Sequence, residues 1–111
     1  MKITSLTTLS EQTISHNPEI KKKVMLGSGD LPHLTNFSQA RFAPGQVAVA
    51  HSHPDMWEVF FVSEGEGVIA IDGAAYFLQP GTCVAVAPGE VHELSNPGPA
   101  ELIVTYLGLR V

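Results

Sequence analysis

Four residues in this chain of 111 have the types and spacing that suit a metal ion. His51 and His53 are separated by one residue, so on an extended chain both imidazoles project from the same face, about 7 Å apart at Cα. Glu58 follows after Pro54-Asp55-Met56-Trp57, an insert of turn length, and opens an apolar strand. Antiparallel return would bring its carboxylate level with the two histidines. His92 comes much later, just after Pro88-Gly89 and at the start of another apolar run. Three imidazoles and a carboxylate form a hard-to-borderline donor set for a divalent first-row transition ion. Four protein ligands leave positions open on an octahedral ion that activates or orients something, whereas structural zinc usually closes its shell with cysteine. The bland alternative, loop histidines beside a chance carboxylate, is disfavoured because three inward imidazoles are costly to bury without a partner.

The elements that must position these side chains read as strands. Turn chemistry recurs at Pro44-Gly45, Gly65-Glu66-Gly67, Asp72-Gly73, Pro80-Gly81, Pro88-Gly89 and Asn96-Pro97-Gly98-Pro99. Proline presets φ at one turn position and glycine accepts positive φ at the next. Between the turns lie nine runs rich in β-branched and aromatic residues: 20–26, 34–42, 47–51, 58–64, 67–72, 75–78, 82–86, 91–95 and 102–109. Asp72-Gly73 between two such runs predicts a tight hairpin. No stretch has helical periodicity with caps at both ends, and there is no internal repeat. Nine short strands around one core predict an all-β fold, a closed barrel or a two-sheet jelly roll. Residues 1–18 are expected to add an edge strand, to pack as an arm against a partner subunit, or to stay loosely ordered.

The motif spacing goes beyond four suitable residue types. Gly45, five residues, His51, one residue, His53, four residues, Glu58, six residues and Gly65 match the first motif of the cupin superfamily. Gly81, Pro88-Gly89, two residues, His92, three residues and Asn96 match the second, except that Ala87 stands where the family pattern has proline. The chain therefore resembles a small single-domain cupin over residues 1–111, with the motifs at 42–65 and 81–96. The resemblance implies a double-stranded β-helix, a jelly-roll barrel. It also implies that His51, His53, Glu58 and His92 are metal ligands for iron(II), manganese(II), nickel(II), copper(II) or zinc(II), and that the chain forms a homodimer through its N-terminal strand and outer sheet.

Composition narrows the partners. The formal charge of −5 and a single cationic cluster, Lys21-Lys22-Lys23, speak against nucleic acid, which needs clustered cations. That cluster reads as a solvated strand end. The apolar runs are far shorter than the ~20 residues of a membrane-spanning helix. Met1 to Ser15 lacks the continuous apolar core of a secretory signal. One cysteine forms no internal disulfide, which fits a cytoplasmic protein, and Cys83 reads as a buried small hydrophobe.

Other residues are candidates for contact with a small-molecule ligand or substrate. Met56 shares the parity of Glu58, and Phe60 continues that inward face, as does Val62. Trp57 faces the other way and is read as a packing residue. Gln39 and Arg41, on one face of the strand before Pro44, and Tyr106, on the last strand, could bind a substrate carboxylate or hydroxyl if they point inward. His16 and His33 lack a partner at ligand spacing and are read as ordinary loop residues. Asn96, before Pro97-Gly98, predicts an Asx turn. The function expected is a metal-dependent enzyme on a small organic substrate, of dioxygenase or Lewis-acid isomerase, lyase or decarboxylase type, with Glu58 or a pocket residue managing the proton. The alternative is a metal-dependent binding or sensing module without turnover. A sensor would need a signalling domain for which this length has no room, so an enzyme is favoured.

Overall fold

The computed structural model describes residues 1–111 and resolves the alternating runs into ten strands. They are β1 (Gln12–Ile14), β2 (Asn17–Gly27), β3 (Leu34–Phe42), β4 (Val47–His51), β5 (Met56–Glu64), β6 (Gly67–Ile71), β7 (Ala74–Leu78), β8 (Cys83–Val86), β9 (His92–Ser95) and β10 (Leu102–Arg110). All pair antiparallel, in a six-stranded sheet β1-β2-β3-β10-β5-β8 and a four-stranded sheet β4-β9-β6-β7. The two sheets enclose a core that includes Phe42, Val62, Leu102 and Val104 from the first and Ile69 and Leu78 from the second. This is the jelly-roll, double-stranded β-helix architecture, and no helix is long and apolar enough to cross a membrane.

β2 to β10 fall on the nine runs read from the sequence. At the N-terminus β1 lies beside β2 at one end of the six-stranded sheet. Asp72 (φ 48°) and Gly73 (φ 86°) form the two-residue primed turn between Ile71 and Ala74. Asn96 makes the Asx turn through its Oδ1, which accepts from Gly98 N at 3.0 Å. Its Nδ2 donates to the carbonyls of Phe42 (2.9 Å) and Ala100 (2.8 Å), tying the β9 exit to the end of β3.

Four expectations are corrected. β5 starts at Met56 rather than Glu58, so the insert after His53 is only a tight turn. β4 and β5 do not pair: β4 lies beside β9 in the small sheet, whereas β5 lies between β10 and β8 in the large one. The chain crosses between sheets at the turn, and Glu58 faces the histidines across the barrel interior instead of along a hairpin. Lys21 to Lys23 sit mid-strand because β2 begins at Asn17; Lys23 donates to the Leu6 carbonyl at 2.6 Å, and Lys22 turns inward. Cys83 is exposed, because it pairs with Phe61 on the outer face of the large sheet while Val84 and Val86 take the inward parity.

Candidate metal centre

A β-bulge aims His51. Between Ala48 and His51 the β4 register shifts against β9: Ala48 lies opposite Leu94 and His51 opposite His92, so three steps on one strand face two on the other. One extra residue reverses the alternation, and Ala48 and His51 both face the interior although strict alternation would send one of them outward. His92 lies between His51 of β4 and Ile71 of β6, in a strand flanked on both sides. The backbone before it is pinned by Val91 N donating to Asp72 Oδ1 (2.9 Å) and Asp72 N donating to the Val91 carbonyl (2.8 Å). His53 occupies the turn after β4, where its carbonyl accepts from Gly89 N at 2.8 Å. That bond joins the two motifs directly. Glu58 arrives from the opposite sheet, two residues into β5.

The ligating atoms of His51, His53, Glu58 and His92 all lie within 4.8 Å of one another. Glu58 Oε1 is 3.0 Å from His53 Nε2 and 2.9 Å from His92 Nε2. Two ligands at right angles on an ion with bonds of ~2.1 Å stand about 3.0 Å apart, and opposite ligands about 4.2 Å. The two Glu58 contacts thus match neighbouring ligands on one divalent ion, which the four donors together could hold. Second contacts orient two of the rings: His51 Nδ1 meets the Val49 carbonyl at 2.8 Å and His92 Nδ1 the Glu90 carbonyl at 3.0 Å. With Nδ1 donating to a carbonyl, Nε2 presents its lone pair inward, as a metal ligand requires.

Electrostatics around the cluster follow from burial and neighbours. Burial pulls the His51 pKa down despite the Val49 carbonyl, a shift that favours the neutral imidazole. For His92 burial acts in the same direction, but the hydrogen bonds to Glu58 and Glu90 prevail and the net shift is upward. For Glu58 burial acts upward, yet the hydrogen bond from His92 and the adjacent imidazoles hold its carboxyl below the ordinary range. Metal-free, Glu58 and His92 are thus an ion pair at mildly acidic pH.

The cluster lies at one side of a cavity of about 160 Å³ between the sheets. Met56, Phe60 and Tyr106 line it. Tyr106 packs against Phe60 with ring centroids 5.8 Å apart, and burial pushes its hydroxyl up to about 12, with Ser38 beside it acting weakly the other way. Gln39 and Arg41 do not line it. Ala40 and Phe42 hold the inward parity of β3, so their neighbours point out, where Arg41 pairs with Glu101 at 2.7 Å. That apolar parity was available in the sequence as a signal against both residues. Trp57 is likewise exposed on the outer face rather than packed.

Three lining residues had no sequence signal of their own. His16, in the turn between β1 and β2, stacks on His51 with ring centroids 3.5 Å apart and planes at 14°, contrary to its reading as an ordinary loop residue. Its distance from His51 in sequence hides the contact. Lys22 and Asn36 enter through the inward rows of β2 and β3. His33 stays a loop residue, with φ 66° and its carbonyl accepting from Arg110 N.

The fold is shared with several solved structures. A predicted oxalate decarboxylase from Thermotoga maritima superposes with a TM-score of 0.90 at 20% identity, both chains being covered in full. A sugar phosphate isomerase of the cupin superfamily from Silicibacter pomeroyi gives 0.83 at 20% identity, over all of this chain and 76% of that one. KdgF from Halomonas sp. gives 0.82 at 19% identity, over all of this chain and 96% of that one. At such identities the likeness is one of fold. The family model described as the cupin domain matches residues 38–106, a segment that holds both histidine motifs and all four converging side chains. The chain belongs to the cupin family.

Proposed function

We propose that this cupin is a metal-dependent enzyme acting on a small organic molecule, with His51, His53, Glu58 and His92 as ligands of one divalent transition ion. The observation that carries the reading is the convergence of these four side chains, from two sheets and a turn, on the wall of a partly enclosed cavity. Iron(II), manganese(II), nickel(II), copper(II) and zinc(II) all suit the donor set. When bound, such an ion supplies Lewis-acid polarisation of a substrate oxygen, or oxygen chemistry in the case of iron. The chain's own residues supply the rest. Glu58, held at Oε1 by two imidazoles, is the group that holds or moves a proton beside the reacting atoms. Tyr106, neutral throughout the physiological range, donates a hydrogen bond from the cavity wall. Met56 and Phe60 exclude water and set the width of the cavity.

Elemental analysis of the purified protein tests the reading: about one equivalent of divalent metal is expected, lost in the double variant His51→Ala/His53→Ala. Unchanged metal content in that variant would overturn it. Oxygen uptake and product analysis then divide dioxygenase from isomerase, lyase and decarboxylase chemistry; decarboxylase and isomerase are the classes that the names of two structural neighbours carry. Tight substrate binding with no turnover would place the protein among binding modules instead.

The same reading includes a homodimer. Trp57 (43% exposed), Phe61 (43%) and Leu109 (39%) lie together on the outer face of the large sheet, Leu109 opposite Trp57 and Phe61 opposite Cys83. A cluster of this kind supports an interface. Light scattering is expected to give twice the chain mass, and Phe61→Lys to give a monomer. A cytoplasmic location, supported by the single unpaired cysteine, completes the proposal.

A further inference from the structure

We propose that Lys22 is the anchor for the carboxylate of an extended organic acid, and so a determinant of substrate choice. The inference rests on the reading of the cavity as a metal-centred small-molecule site and names the class of molecule it takes. The charges lining the cavity are unusual for a chain that carries −5 overall. Apart from the histidines, the ionisable groups with formal charge on its wall are Glu58 and Lys22. Glu58 is engaged by His53 and His92. Lys22 is half-buried and makes no ion pair, whereas Lys2 and Arg41 are paired with Asp30 and Glu101. A half-buried lysine on a cavity wall with no anionic partner is available to a carboxylate that a ligand brings. A divalent ion at the four ligands would leave the cavity with a net positive charge, which favours the same class.

Position defines the shape of the acid. Lys22 lies in register with Ala40, Val104 and Val62 across β2-β3-β10-β5, three strand spacings or about 14 Å, and Glu58 is four residues further along β5, about 13 Å at the backbone. Side chains from both ends shorten that gap, but a carboxylate held by Lys22 is still remote from an oxygen at the metal centre. The ligand is therefore an acid whose carboxylate is separated from its metal-facing oxygen by several carbon atoms. Phe60 and Tyr106 flank the path between them. Lys22 also lies outside residues 38–106, the segment matched by the family model, so the β1–β2 hairpin adds recognition to a metal centre built by the family segment.

The test uses isothermal titration of wild type, Lys22→Met, Lys22→Arg and Arg41→Met with Mn(II), and then with acetate, glutarate, adipate and adipamide. Glutarate or adipate is expected to bind wild type and Arg41→Met alike, about ten- to hundredfold more weakly to Lys22→Met, and with affinity largely restored in Lys22→Arg. Acetate is expected to show no dependence on Lys22, and adipamide to bind poorly. Mn(II) affinity is expected to be equal in all four proteins. Diacids that bind regardless of Lys22, an amide that matches its acid, or no binding of either diacid would overturn the proposal. The metal reading fails separately. If no variant binds Mn(II) but EDTA-treated protein still binds adipate through Lys22, the carboxylate anchor stands and the metal centre falls.

Discussion

Replacing Glu58 with Gln removes a charge from the centre of the cluster while keeping shape and one carbonyl acceptor. In the metal-free protein Glu58 Oε1 lies 2.9 Å from His92 Nε2, and the two side chains are 9% and 3% exposed, so the pair is little screened. A charge-assisted hydrogen bond contributes on the order of 1.5–3 kcal/mol, and desolvation of both groups offsets part of it. The net loss expected in Glu58→Gln is about 1–2 kcal/mol, or a fall in Tm of roughly 4–8 °C for a domain of this size. The loss depends on pH in a defined way. The folded pKa of Glu58 is depressed, so its contribution is present above the ordinary value of 4.5 and fades as pH falls through the folded value. The folded pKa of His92 is raised, so its contribution is full below the ordinary value of 6.5 and fades as pH rises through the folded value. Both are present between 4.5 and 6.5. Above the folded His92 value the neutral ring directs a lone pair at Glu58, and the Gln amide can donate to it, so the difference should shrink as pH rises. Thermal unfolding of EDTA-treated wild type and variant at pH 5.5 and 8.5 measures this. A deficit of equal size at both pH values, or one that grows with pH, would refute the ion pair and the imidazole orientation inferred from it.

Other outcomes follow from the same geometry. Added Mn(II) or Ni(II) should stabilise wild type by about 2.7 kcal/mol at a hundred times Kd, an upward shift in Tm near ~10 °C, and the shift should grow from pH 5.5 to 7.5 as the metal displaces the proton on His92; a shift independent of pH would count against His92 as a ligand. His16→Ala removes the ring stacked on His51 and is expected to weaken Mn(II) binding a few-fold while leaving Tm of the metal-free protein within about 1 °C, because the turn that carries it is only partly buried. Equal Mn(II) affinity in that variant would show that the stack does not orient His51. Gly65 has φ 79° and its missing Cβ would collide with the Glu101 carbonyl, whereas Gly81 has φ 89° with open space around it. Urea unfolding should therefore give a loss of ~3 kcal/mol or more for Gly65→Ala and about 1–2 kcal/mol for Gly81→Ala; comparable losses would mean that the chain relaxes around Gly65.

The nine runs were legible because turn residues and β-branched alternation are local properties, dictated by φ preference and side-chain shape. The ligand spacing was legible for a related reason: His51, His53 and Glu58 flank the Pro54-Asp55 turn and His92 follows the Pro88-Gly89 turn, residues that mark where the backbone must bend. Bulges and sheet membership were not. The extra residue between Ala48 and His51 is unremarkable until β9 pairs with β4 and leaves it unmatched. Cys83 could be placed inside or outside only after its parity was known, and parity is decided by pairing; Trp57 faces outward as its parity says, but whether that face is covered depends on what packs there.

By itself, then, the order of residues determined the strand content, the corners and the four side chains available to a metal, because each depends on near neighbours. The tertiary structure alone decided that Glu58 faces its partners across the barrel, that Glu101 is the partner of Arg41, and that His16 and Lys22 enter the cavity. Those outcomes depend on which strands pair and in what register, a balance of burial and hydrogen bonding over residues far apart in the chain.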